Sequence, residues 1–116
     1  MLAYYNLDII QGSTFYAQLS IKNSDNSPVN LTGYNVRGHI KYGYSSNSIL
    51  LNLNPTIDTT APLTAASGVI NVRLTAGQTS LLPIIVGVYD IETYNNDGEV
   101  NKVLDGKVQV HPEVTK

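Results

Sequence analysis

From residue 15 to residue 22 apolar and polar side chains alternate without a break. Phe15, Ala17, Leu19 and Ile21 fall on one side, and Tyr16, Gln18, Ser20 and Lys22 on the other. Only an extended chain, whose side chains point alternately to opposite faces, gathers four such residues on one surface. The segment reads as a half-buried β-strand. Ahead of it, Leu7 and Ile9 alternate with Asn6 and Asp8, and Gln11-Gly12-Ser13 breaks the chain between the two strands.

The same period returns further on. Tyr34, Val36, Gly38, Ile40 and Tyr42 share one face of a strand, opposite Asn35, Arg37, His39 and Lys41. An inward Gly38 calls for close approach of a neighbouring segment or for a local bulge. Ile49-Leu50-Leu51-Asn52-Leu53 is a short strand. Gly68 opens another, with Ile70, Val72 and Leu74 inward. Residues 84–93 form the most apolar strand. Residues 100–110 close the fold, with Leu104, Val108 and Val110 in register and Pro112 as the stop.

The breaks carry turn chemistry. Asn23-Ser24-Asp25-Asn26-Ser27-Pro28 is a hairpin-type loop, and Asn95-Asn96-Asp97-Gly98 ends in the Asp-Gly pair favoured in tight hairpins. Residues 54–67, with two prolines, form a long connection. Thr75 followed three residues later by Gln78 is a capping box, so residues 75–82 are expected to hold one helical turn crossing between sheets. About seven strands at this turn spacing, with no long helical period, predict an all-β, immunoglobulin-like antiparallel β-sandwich spanning residues 1–116 as one domain. A small barrel is the alternative. Within that core, Phe15→Ala is expected to cost roughly 3–5 kcal/mol.

Composition narrows the function. The 42% of hydrophobic residues suffices for one core, and 116 residues suit one domain. With no cysteine, disulfides and thiolate metal sites are excluded. No basic segment followed by an apolar run opens the chain, and no apolar stretch approaches the ~20 residues of a membrane span. Synthesis in the cytoplasm and no membrane partner are expected. Charged residues are only 14%, the net charge is −2, and the seven Lys and Arg are scattered. A nucleic-acid partner, which needs a basic stripe, is not expected. The polar surface is built instead from Asn, Ser, Thr, Gln and Tyr, a composition suited to packing in an assembly.

No reactive constellation emerges. His39 lies on the polar face of a strand and His111 just past the last one, and neither has a second ligand at metal spacing. No serine sits in Gly-x-Ser-x-Gly, and no glycine-rich phosphate loop precedes a helix. Asp90 and Glu92 share a strand face and read as a solvated edge or a loop anchor. Asp97 and Glu99 flank the hairpin turn with too few carboxylates nearby for calcium. Asn30-Leu31-Thr32 matches a glycosylation acceptor but carries no weight without a signal peptide. Neither enzymatic activity, nor a cofactor, nor a metal is expected. The candidate partner-binding residues are aromatic: Tyr4 and Tyr5 near the N-terminus, Tyr42 and Tyr44 in a loop, and Tyr94.

Several short motifs occur in order. They are Asp8-Ile9-Ile10-Gln11-Gly12, Thr14-Phe15, residues 28–37 (Pro-Val-Asn-Leu-Thr-Gly-Tyr-Asn-Val-Arg), Gly68-Val69-Ile70, Leu74-Thr75-Ala76-Gly77-Gln78-Thr79, Gly87-Val88-Tyr89-Asp90-Ile91, Leu104-Asp105-Gly106-Lys107-Val108 and Pro112-Glu113-Val114-Thr115. In this order the chain resembles the small immunoglobulin-like virion structural proteins of tailed bacteriophages, and is similar to the N-terminal domain of upper baseplate proteins. The resemblance covers nearly the whole chain. It implies a non-enzymatic virion protein docking through protein–protein contacts, as capsid decoration or cement or as a neck, tail or baseplate accessory. The implied partners are the major capsid protein or tail and baseplate proteins, in a homo-oligomer or multi-copy lattice. A receptor- or carbohydrate-binding module on the phage surface is the alternative, with Tyr42 and Tyr44 as its aromatic candidates.

Overall fold

The alternating segment becomes strand β3 (Phe15–Ser20) in a computed structural model that describes residues 3–114. Thr115 of the closing motif lies outside the described residues. Ahead of β3 run β1 (Ala3–Tyr4) and β2 (Leu7–Ile10). After it come β4 (Asn35–Lys41), β5 (Leu51–Asn52), β6 (Thr56–Ile57), a 3-10 turn (Ala65–Ser67), β7 (Val69–Leu74), a helical turn α1 (Ala76–Thr79), β8 (Val86–Tyr94) and β9 (Val100–His111). The larger sheet has the order β1-β9-β8-β4-β5, with β2 also on β9; the smaller has the order β3-β7-β6. The inner faces of the two sheets meet in one core, where Leu7, Ile9, Leu19, Ile40, Ile70, Val72, Leu74, Ile91, Val108 and Val110 are buried.

Most of the expected punctuation is present. Thr75 and Gln78 form the reciprocal capping box, and α1 carries the chain from β7 in one sheet to β8 in the other. Gly98, at φ 85°, closes the hairpin between β8 and β9, where its N–H donates to the Asn95 carbonyl. Gly38 is inward without a bulge in β4: a Cβ there would stand 2.8 Å from the Asp90 carbonyl oxygen and press on Ile91 and Leu53.

Several expectations change. Nine strands are described, because β1, β5 and β6 are two-residue pairings too short to show a period; β6 and the 3-10 turn lie inside the long connection. The N-terminal strands run parallel to β9, Leu7 beside Val108 and Ala3 beside Leu104, while the other pairings are antiparallel. Strand β4 stops at Lys41, which leaves Tyr42 exposed beyond it instead of inward. Tyr34 likewise precedes β4, and its hydroxyl donates to Glu99 at 3.1 Å. Ile84 precedes β8 and is exposed. His111 belongs to β9, paired with Ile10. Asp90 and Glu92 lie on β8, between β4 and β9, so they are central and not on an edge.

Phe15 faces the core from an edge strand and is only half-buried. Phe15→Ala is therefore expected to cost about 2 kcal/mol, below the range for a fully enclosed aromatic. Urea unfolding checks this, and a loss above about 4 kcal/mol would mean that the edge is more enclosed than its geometry indicates.

Candidate functional site

Strand β9 pairs with β8 in register up to Leu104 opposite Ile91. The next pair is Lys102 opposite Glu92, so Val103 is an unpaired extra residue. Such a bulge shifts the alternation by one. Without it, Lys102 and Asp105 would point to opposite faces. With it, both stand on the outer face of the larger sheet, and Val103 and Leu104 both enter the core.

The bulge solves an electrostatic problem. Asp90 and Asp105 are directly opposite on β8 and β9, and like charges so placed repel. Lys102 reaches both, at 3.1 Å from Asp105 and 3.5 Å from Asp90. The hydrogen bond it donates to Asp105 holds its ammonium above the ordinary lysine range, with further support from the charges of Asp105 and Asp90. Tyr44 donates its hydroxyl to the other Asp105 oxygen at 3.0 Å, and this bond raises the phenol's pKa. Its ring lies 5.6 Å from the Lys102 ammonium. Tyr4 pairs with Asp105 from the opposite side on β1. Asp105 is thus buried under an aromatic cover, although it belongs to an outer face.

Beside this network a shallow groove of about 240 Å³ runs along β4 and β8, lined by His39, Lys41, Tyr44, Val88, Asp90 and Glu92. At its far end Arg37 is paired with Glu92 at 2.6 Å, and its guanidinium lies 4.6 Å from the centre of the Tyr94 ring. The charges along the sheet are largely neutralised by neighbours, which leaves aromatic surface and hydroxyls to meet a partner.

The five tyrosines do not form one patch. Tyr4 and Tyr44 meet around Asp105, and Tyr42 is exposed in the loop that carries Tyr44. Tyr94 is half-buried beneath Arg37 at the other end of β8. Tyr5 lies at the border of the sandwich, on a second groove shared with Tyr16 between β2 and β3. Sequence reasoning missed Tyr16 by assigning it to an ordinary polar face, and missed Lys102 and Asp105 because the bulge leaves no trace in a period-two pattern. His39 is half-buried on the outer face, and His111 stands 3.1 Å from Asp8.

No family model matches the chain, and no curated protein matches it. Solved structures of the same architecture are numerous, 126 chains in all, so the frame is widely shared and does not select a role. One is a VGSC beta subunit, from work on multimeric cell-adhesive interactions, 12% identical, with a TM-score of 0.51 over 92% of this chain and 91% of that one. At that identity the likeness concerns the fold, and the fold is an immunoglobulin-like β-sandwich.

Proposed function

We propose that the protein is a virion structural component of a tailed bacteriophage that docks on the particle through its neutral, aromatic surface. One observation carries the reading: Tyr4 and Tyr44 are 75% and 67% exposed on either side of a buried carboxylate, Tyr44 held by its hydroxyl bond to Asp105 and Tyr4 by the pairing of its backbone beside it. Large aromatics held rigidly at a surface lose little entropy on binding, and they dominate interface energetics where they occur. The resemblance of the ordered motifs to those of phage virion proteins suggests the class of partner, a capsid or a tail and baseplate protein. In many symmetric copies, individually weak contacts suffice.

Replacing both residues together (Tyr4→Phe with Tyr44→Ala, or Ala at both) tests it. The alanine pair is expected to lower incorporation into particles at least about tenfold, the loss of a contact worth ~1.4 kcal/mol or more. Incorporation equal to wild type would contradict the reading. A second reading, a receptor- or carbohydrate-binding module, is favoured by the groove beside Tyr44 with its carboxylates and His39. It predicts instead that Tyr42→Ala with Tyr44→Ala abolishes adsorption to cells while incorporation is kept.

A further inference from the structure

The sheet edges of this protein are not equally protected. Edge strands invite pairing unless they are short, charged, bulged or covered. Among the described residues, β5 and β6 are two residues long, and β2 is four residues long and carries a charge, Asp8. Strand β3 is different. It is six residues long, Phe-Tyr-Ala-Gln-Leu-Ser, without a charge, a proline or a bulge, and it pairs with β7 alone.

The direction of its open backbone groups follows from the register. The Ile21 N–H donates to the Gly68 carbonyl at 2.7 Å, and antiparallel pairing alternates from there. Phe15, Ala17 and Leu19 therefore bond to β7, while the N–H and C=O groups of Tyr16, Gln18 and Ser20 point away from the sheet. The inner face of the strand is unfinished as well: Phe15 and Ala17 are only half-buried, and the groove between β2 and β3 opens beside them.

We propose that this edge is the seat of antiparallel β3–β3 pairing between two copies of the chain, which names a surface and a partner within the docking reading above and rests on it. Self-pairing is favoured by complementarity along the strand. Centred on Gln18, a twofold axis sets Gln18 opposite Gln18 of the second copy and Tyr16 opposite Ser20, a large residue beside a small one. All the outward-facing residues of β3 are then used. Ala17 meets Leu19 on the inner face, and Phe15 gains cover. Along the strand itself the nearest charge, Lys22, falls opposite Thr14, so no like charges meet within the ladder; off the strand, Asp58 is engaged by the Gln18 amide, which donates to its carboxylate at 3.1 Å. A ladder this short buries less than the roughly 800 Å² per partner of a standard stable interface, so the pair is weak alone and gains strength in a multi-copy array.

The chain contains no cysteine, so single substitutions report the register directly. In a hydrogen-bonded antiparallel pair the Cα atoms are about 5.5 Å apart, within disulfide reach. Under mild oxidation of the folded protein, Gln18→Cys is expected to form a linked dimer at least about tenfold faster than a loop control, Ser45→Cys, because pairing raises the effective thiol concentration. Ser20→Cys, which faces Tyr16, should match the control. Gln18→Pro removes an outward N–H without touching the β7 ladder, and should abolish dimers seen by sedimentation at about 1 mM. Equal linking rates at positions 18, 20 and 45, or a wild-type monomer at that concentration, would overturn the proposal. Amides of Tyr16, Gln18 and Ser20 protected from exchange only in assembled particles, by a different protein, would also overturn it while leaving the docking reading intact.

Discussion

Replacing Tyr89 with alanine is expected to lower the free energy of unfolding by about 4 kcal/mol, among the larger single-residue losses for a core aromatic. Tyr89 is the largest fully buried side chain of the molecule, 2% exposed, on the inner face of β8. Its ring packs at Gly106, and its hydroxyl donates to the Tyr5 carbonyl where the chain passes from β1 to β2. Tyr89→Phe keeps the packing and strands that carbonyl, and should cost about 1–2 kcal/mol. Chemical denaturation of both variants separates the two contributions. Equal losses in the two would mean that the hydroxyl bond, and not the ring, holds the site.

The same residue sets an alkaline limit. Burial, reinforced by the charge of Asp105, pushes the Tyr89 phenol well above its ordinary pKa. The folded state therefore keeps a proton that the unfolded chain releases from about pH 10. The Tyr89 contribution is fully present below that pH and is lost as pH rises above it. Lys102, raised in the same direction by Asp105, loses its contribution over the same window. Tyr89→Phe should make stability fall less steeply above about pH 10, and an unchanged slope would assign the alkaline loss to other groups.

Gly106→Ala is the second large effect expected, about 3 kcal/mol. A Cβ at this position would overlap the Tyr5 carbonyl and press on the Tyr89 ring from 3.0 Å. Backbone is in the way, so the neighbour cannot simply rotate aside. The expected outcome is release of residues 3–5 from β9. That would remove Tyr4 from Asp105 and break the Tyr89 hydroxyl bond together. Hydrogen exchange reads this directly: the Tyr5 amide, which donates to the Asp105 carbonyl at 3.0 Å, should lose its protection. Retained protection with full stability would show that β9 shifts to make room.

How much of this was legible in the sequence depended on whether a residue's fate was decided locally. The alternation from Phe15 to Ile21, the Thr75–Gln78 capping box and the Asp97-Gly98 turn act within a few residues, and the structure has all three. The β9 bulge is decided by pairing with β8, not by any residue at Val103, so the side on which Lys102 stands could not be read. The parallel course of β1 and β2 depends on Gly106 leaving room for Tyr5, a contact across about a hundred residues of chain. Tyr89 and Tyr44 carry the same side chain, yet one is a core residue and the other an exposed one, because β8 is central and the loop after β4 is not. Of the five tyrosines singled out, Tyr4 and Tyr44 converge because Asp105 is shared between them, and no spacing rule indicates that.

Cryo-electron microscopy of intact phage particles purified from lysates in which this protein is produced tests the docking reading most directly. The expected result is density for the sandwich on the capsid lattice or at the neck, tail or baseplate, with the Tyr4–Tyr44 surface against a neighbouring subunit. Particles purified to homogeneity that contain no density for this chain would contradict it.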